Sequence, residues 1–186
     1  WAFGGCDRLK SVTVGLSVVH IGDNAFYGCE ILYYVSFDNA LETIGEYAFK
    51  NCVNLTYIFV PEFVSGIGAS AFEGCTALTE VTLPATVETI GDAAFWGCTA
   101  LTAVEFPESV KTIGTLAYYN CTGIQSIKFS KDDITIGDYA FVTDGSTLKD
   151  KIDTSNLAEG SKVLEYVKDI AEPTPETEAP ETEAPE

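Results

Sequence analysis

Apolar residues recur along this chain in a fixed sentence of 23 residues, Ile-Gly-x-x-Ala-Phe-x-Gly/Asn-Cys-x-x-Leu-x-x-Val-x-Phe/Leu-Pro-x-x-Val-x-Thr. Ile-Gly pairs begin at Ile21, Ile44, Ile67, Ile90, Ile113 and Ile136, and cysteines stand at Cys6, Cys29, Cys52, Cys75, Cys98 and Cys121. A unit this short cannot close a core of its own, so neighbouring copies must bury one another's apolar faces. The pattern therefore predicts a solenoid of six to seven coils. Within a unit, Leu78 to Leu83 carries the alternation of a half-buried strand, and Pro61, Pro84 and Pro107 stand where such a strand stops. A second extended stretch, such as Val87 to Ile90, leads to the next corner.

The corner itself is expected to hold a short helical turn carrying Ala-Phe, with Asp23, Glu46, Asp92 and Asp138 placed to cap it. The residue before each cysteine is Gly5, Gly28, Asn51, Gly74, Gly97 or Asn120. Glycine and asparagine enter the left-handed region cheaply, so this position should end the turn. Phe3, Phe26, Phe49, Phe72, Phe95, Tyr118 and Phe141 fall in one column and predict an aromatic spine. The cysteines follow the repeat spacing, which predicts a ladder of buried thiols. Adjacent coils about 4.8 Å apart would bring sulfurs within bonding range, yet parallel side chains oppose the dihedral of about 90° that a disulfide needs. No CxxC pair or neighbouring histidine suggests a metal site.

The sentence decays after Phe141. Asp144 stands where cysteine is due, and Leu148 and Ile152 are displaced from the expected apolar positions. The expected organisation is a repeat body over 1–153 with a degenerate, capping last coil, then a cap helix within 154–170 presenting Val163, Val167 and Ile170 on one face. Residues 171–186 form a Pro/Glu/Thr spacer, expected to be disordered because it has no apolar surface to offset its ordering entropy.

Charge narrows the partners. The net charge is −18, and the six glutamates between Glu172 and Glu186 supply only a third of it. Nucleic acid and anionic membranes, which need a basic face, are disfavoured. No apolar run approaches the ~18 residues of a spanning helix, so no membrane insertion is expected of this segment. The chain opens at Trp1 in mid-repeat and holds no Met, from which it is expected to be a piece of a longer protein.

The sentence IGxxAFxxCxxLxxV with proline after the strand resembles the BspA-type leucine-rich repeat of bacterial surface proteins and is similar to its treponemal group; the resemblance runs from about Trp1 to Phe141. It implies an α/β leucine-rich-repeat solenoid, right-handed, with a parallel sheet on one face and short helical turns on the other. It also implies an extracellular or cell-surface setting, associated with the wall or envelope, and an adhesive role towards a host or bacterial surface protein or glycan. The Thr-Glu-Ala-Pro tail resembles the stalks of such proteins.

In a leucine-rich repeat the outward strand positions line one continuous face. Here they run Ser11 and Thr13, Tyr34 and Ser36, Tyr57 and Phe59, Glu80 and Thr82, Ala103 and Glu105, Ser126 and Lys128. The binding site is expected at Tyr33, Tyr34, Tyr57 and Phe59, followed by Glu80 and Glu105, because exposed aromatics on a rigid sheet favour protein and sugar contacts. The competing account is that strands simply favour Tyr and Phe. His20 has no nucleophile or paired carboxylate to join it, so no enzyme, catalytic residue or cofactor is expected. Asp132, Asp133 and Asp138 lack a calcium-loop spacing and read as solvated surface. A passive envelope spacer, or a non-catalytic targeting arm of a larger enzyme, are the alternative roles.

Overall fold

The computed structural model describes residues 1–38, 40–144 and 146–170; the spacer expected at 171–186 lies outside them. Long and two-residue strands alternate: β1 (Ser11–Val14), β2 (His20–Ile21), β3 (Tyr34–Phe37), β4 (Thr43–Ile44), β5 (Tyr57–Phe59), β6 (Gly66–Ile67), β7 (Glu80–Thr82), β8 (Thr89–Ile90), β9 (Ala103–Phe106), β10 (Thr112–Ile113), β11 (Ser126–Phe129) and β12 (Thr135–Ile136). The two-residue strands form one parallel ladder in the order β12-β10-β8-β6-β4-β2. The long strands pair in parallel as β1 with β3, β5 with β7 and β9 with β11, with β3 beside β5 and β7 beside β9 completing the row. Every pairing joins residues 23 apart, such as Tyr57 with Glu80 and Ile67 with Ile90. The result is a parallel β-solenoid of about five turns, fewer than the six to seven coils the repeat count suggests, because the copies at either end are incomplete coils.

The helical turns expected at the corners do not form. Two residues of each corner are left-handed: the Gly or Asn before cysteine, as expected (Gly28 φ 66°, Asn51 φ 60°), and a second, four residues earlier, at Asn24, Tyr47, Ser70, Ala93, Leu116 and Tyr139 with φ of 52–58°. A left-handed residue every fourth position stops a helix from propagating. N–H groups instead alternate between their own corner and the next coil. Phe26 N donates to Ala48 O at 2.8 Å, Tyr27 N to Asn24 O at 3.2 Å, and Gly28 N to Lys50 O at 2.8 Å. The acidic residues serve the stack in the same way. Asp23 Oδ1 accepts from Glu46 N and Asp92 Oδ1 from Thr115 N, both at 2.8 Å, so these carboxylates tie neighbouring coils where a cap on their own turn was expected.

A left-handed non-glycine residue costs roughly 1–2 kcal/mol, so Ala93→Gly relieves strain that the lost chain entropy of glycine roughly cancels. Its melting midpoint is expected within a degree or two of the parent, on the order expected for a near-zero change. Ala94→Gly, one residue on and outside the left-handed set, has no strain to release and is expected to lower stability by about 1 kcal/mol in urea titration.

Inside, the expected spine is present. Successive rings from Phe3 to Phe141 stack with centroids 5.0–5.5 Å apart and nearly parallel planes. The cysteines are free. Each Sγ from Cys29 to Cys121 donates to the carbonyl of the spine residue 26 positions earlier, as Cys75 does to Phe49 O at 3.2 Å. Burial pushes Cys52 and Cys121 up to about 12 and Cys75 and Cys98 well above the usual thiol value, so these are protonated donors and not thiolate nucleophiles.

After Phe141 the chain makes a hairpin, β13 (Val142–Thr143) against β14 (Ser146–Thr147), and rejoins the long-strand row where Ile152 bridges Ile127. Leu148 and Ile152, out of register in the sequence, are both buried. Helix α1 (Lys162–Asp169) follows, N-capped by Ser161 Oγ accepting from Leu164 N at 3.1 Å. It sets Val163 into the core, and burial raises the Tyr166 phenol, whose oxygen accepts from Phe141 N, to about 12. Among the described residues no helix is long and apolar enough to cross a membrane.

Candidate binding face

The outward positions of β3 to β11 lie in two columns, Tyr34, Tyr57, Glu80, Ala103, Ser126 and Ser36, Phe59, Thr82, Glu105, Lys128. The strand period of two turns these side chains away from the core while Val35, Ile58, Val104 and Ile127 point in and are buried. Of the six residues singled out from the sequence, Tyr33 (51% exposed), Tyr34 (47%) and Phe59 (44%) stand open to solvent, as do Glu80 and Glu105, while Tyr57 is half-buried. Tyr57 pairs in register with Glu80, and Phe59 with Thr82. Tyr33 precedes β3 and reaches the face only through its neighbours. Its N–H donates to Lys10 O and its carbonyl accepts from Thr56. The four rings do not stack on one another, so they form a row of separate contacts and not a single aromatic plate.

Phe63 is the residue that strand reasoning passes over. It sits in the turn after β5, is 61% exposed, and occupies a column otherwise filled by Ser17, Ala40, Thr86, Ser109 and Asp132. A lone aromatic in a column of small or polar residues was the available signal. Among the described residues, nine of the ten large exposed apolar side chains lie between Trp1 and Phe63. Phe3 and Val18 belong to core columns of the first coil and Trp1 to the left-handed corner column, while Leu16 and Val19 lie between β1 and β2, so Tyr33, Tyr34 and Phe59 are the ones at or beside the later long strands, with Phe63 in the turn that follows β5. Further along the face, over Ala103, is an open groove of about 430 Å³ lined by Glu80, Val81, Thr82, Leu83, Glu105, Pro107 and Ser130.

The other singled-out residues have structural work. His20 Nδ1 shares a hydrogen with Thr43 Oγ1 at 2.8 Å on the corner ladder. Asn54 Nδ2 donates to Glu30 O, and Asn120 Nδ2 to Asp144 Oδ2, so both side-chain amides are engaged. Asp132 accepts from Ala158 N and Asp133 pairs with Lys162 at 2.7 Å, while Asp138 lines a different cleft. Trp96 packs edge-on against Tyr119 over Ala93, Leu116 and Val142 in a second, outer cluster.

That column beside the spine also holds what the sequence concealed. Lys50 Nζ lies 3.0 Å from Glu73 Oε1 with side chains only 6% and 12% exposed, and the ammonium stands 5.3 Å from the Tyr47 ring centroid.

A family model described as the BspA type leucine rich repeat region matches in six copies across residues 1–102 and 43–164. The chain belongs to this family. The BspA-type coil accordingly superposes on a solved leucine-rich repeat protein of T. pallidum at 33% identity and a TM-score of 0.68, covering 73% of this chain and 64% of that one. The pneumococcal vaccine antigen PcpA matches at 27% identity and a TM-score of 0.61 over 67% of this chain and 31% of that one. A Bacteroides ovatus leucine-rich repeat protein, at 22% identity and a TM-score of 0.50, covers 74% of this chain and 53% of that one and shares the fold. The chain thus spans under two thirds of each of these relatives. No curated protein matches. BspA-type proteins are usually surface-associated repeat modules.

Proposed function

We propose that this BspA-type chain is a non-enzymatic binding module, displayed at the cell surface or secreted, that holds a host or bacterial surface protein or glycan on its strand face. The observation that carries the reading is the exposure of Tyr34 and Phe59 on neighbouring strands of a rigid parallel face, with Tyr33 beside β3 and Phe63 in the turn after β5. A chain that needed these rings only for strand propensity would spread them over all its coils, but the later strands present Thr82, Ala103 and Ser126 at the same positions. The pneumococcal relative named as a vaccine antigen supports a surface setting. In this reading α1 closes the repeat body and the Pro/Glu/Thr segment is its spacer.

The test is binding of fluorescent chain to host-matrix proteins and to whole bacterial cells. Tyr57→Ala with Phe59→Ala is expected to reduce saturable binding about tenfold or more, since aromatic anchors commonly dominate such contacts. An unchanged isotherm removes the site. The bland later half of the face favours a second reading, a passive spacer, for which no ligand saturates at all.

A further inference from the structure

We infer that the strand face takes a basic, extended protein segment, which lays an apolar side chain across Tyr57 and Phe59 and sets an arginine or lysine into the groove over Ala103. This deepens the binding-face reading above and rests on it. Ala103 is the smallest residue in a column that otherwise reads Tyr34, Tyr57, Glu80 and Ser126, so the face dips there between larger neighbours. The lining has two chemistries. Val81, Leu83, Ala103 and Pro107 offer apolar surface, while Glu80 and Glu105 are exposed carboxylates. A side chain with an apolar stem and a cationic head matches both at once, as a neutral or anionic group does not.

Neither glutamate forms an ion pair among the described residues, although Lys128 stands opposite Glu105 in register. Their charge is therefore available to a partner. The net charge of −18 acts in the same direction, drawing basic segments to the molecule and opposing acidic ones. Spacing sets the partner's pattern. Phe59, Thr82 and Glu105 share one column two coil steps long, roughly 10 Å at about 4.8 Å per strand, which a segment extended as a polyproline II helix, rising about 3.1 Å per residue with three residues per turn, covers in about three residues with both side chains on one face. The segment reads apolar-x-x-Arg/Lys, lying across the strands.

The probe is a series of fluorescein-labelled Gly/Ser nonapeptides carrying one Leu and one Arg at varied separations, followed by anisotropy against the full chain. Saturable binding is expected to be strongest at a separation of three and lost when Glu replaces Arg. Glu80→Gln with Glu105→Gln is expected to weaken it about tenfold, as is Ala103→Trp, which fills the dip. Glu46→Gln with Glu159→Gln removes the same charge from elsewhere on the surface and should change it less than about twofold. Equal losses from both glutamine pairs, indifference to separation, or absence of saturable peptide binding overturns the inference. If Tyr57→Ala with Phe59→Ala abolishes cell or matrix binding while Glu80→Gln with Glu105→Gln leaves it intact, the basic-segment inference fails and the binding face stands; if both variants bind like the parent, both fail.

Discussion

Lys50→Ala is expected to cost about 3 kcal/mol of unfolding free energy, the lower part of the range for breaking a buried ion pair. Lys50 and Glu73 meet at 3.0 Å with little solvent access. Removing the ammonium leaves a carboxylate with little access to water, where its Oε2 already lacks a hydrogen-bond partner. The small remaining exposure of Glu73 lets water soften the penalty, which is why the upper end of the range is not expected. A further ~0.5–1 kcal/mol of the loss comes from the Tyr47 ring, over which the ammonium stands. Replacing both partners gives the opposite result. Lys50→Met with Glu73→Leu removes two desolvated charges together and is expected within about 1 kcal/mol of the parent, or above it. Urea titrations of the four members of this cycle measure the coupling directly. Costs that simply add would mean that the two side chains do not stabilise one another.

Phe72→Ala is expected to cost about 3–5 kcal/mol. The ring is fully buried and lies between Phe49 at 5.3 Å and Phe95 at 5.2 Å, with planes within 7° of parallel. A cavity here cannot be filled by collapse, because the coils on both sides are held at fixed spacing by the strand ladders and the inter-coil bonds of the corners. In a stack whose coils touch only their neighbours, the middle of the spine also couples the two halves. Phe72→Ala is therefore expected to broaden the urea transition as well as lower its midpoint, while Phe3→Ala, half-exposed at the first coil, should cost under about 1 kcal/mol by the same burial argument. A loss below about 1 kcal/mol at Phe72 would contradict the burial of the ring.

The Lys50–Glu73 pair and the binding face bear on each other through the repeat. Both are departures from a sentence that is otherwise obeyed coil after coil: charged residues in a column that elsewhere holds Tyr27, Trp96, Tyr119 and Val142, and aromatic residues in columns that elsewhere hold Ser, Thr, Ala, Glu or Lys. Beside the spine the departures answer each other, Lys50 pairing with Glu73 while its ammonium stands over the Tyr47 ring. On the strand face, Tyr34 and Phe59 have no such answer among the described residues and stand in solvent. That contrast is the physical ground on which the first is read as stability and the second is proposed for binding.

Periodicity alone determined the stacking, the 23-residue register, the strand positions, the stacked spine and the left-handed residue before each cysteine. All of these follow from rules that act on one coil and its identical neighbour, so a repeated letter is enough to reveal them. The outward direction of Tyr34, Phe59, Glu80 and Glu105 was legible for the same reason, through the strand period of two. Only the tertiary structure decided the corners. Asn24, Tyr47, Ser70, Ala93, Leu116 and Tyr139 share no side-chain chemistry that favours positive φ. From Asn24 to Leu116 their N–H groups all donate to the next coil, as Tyr47 N does to Ala69 O at 2.9 Å, a demand made by the stack and not by the residue. The same holds for Lys50 and Glu73, which are neighbours only across coils, and for the dip over Ala103, which exists because of what stands on either side of it.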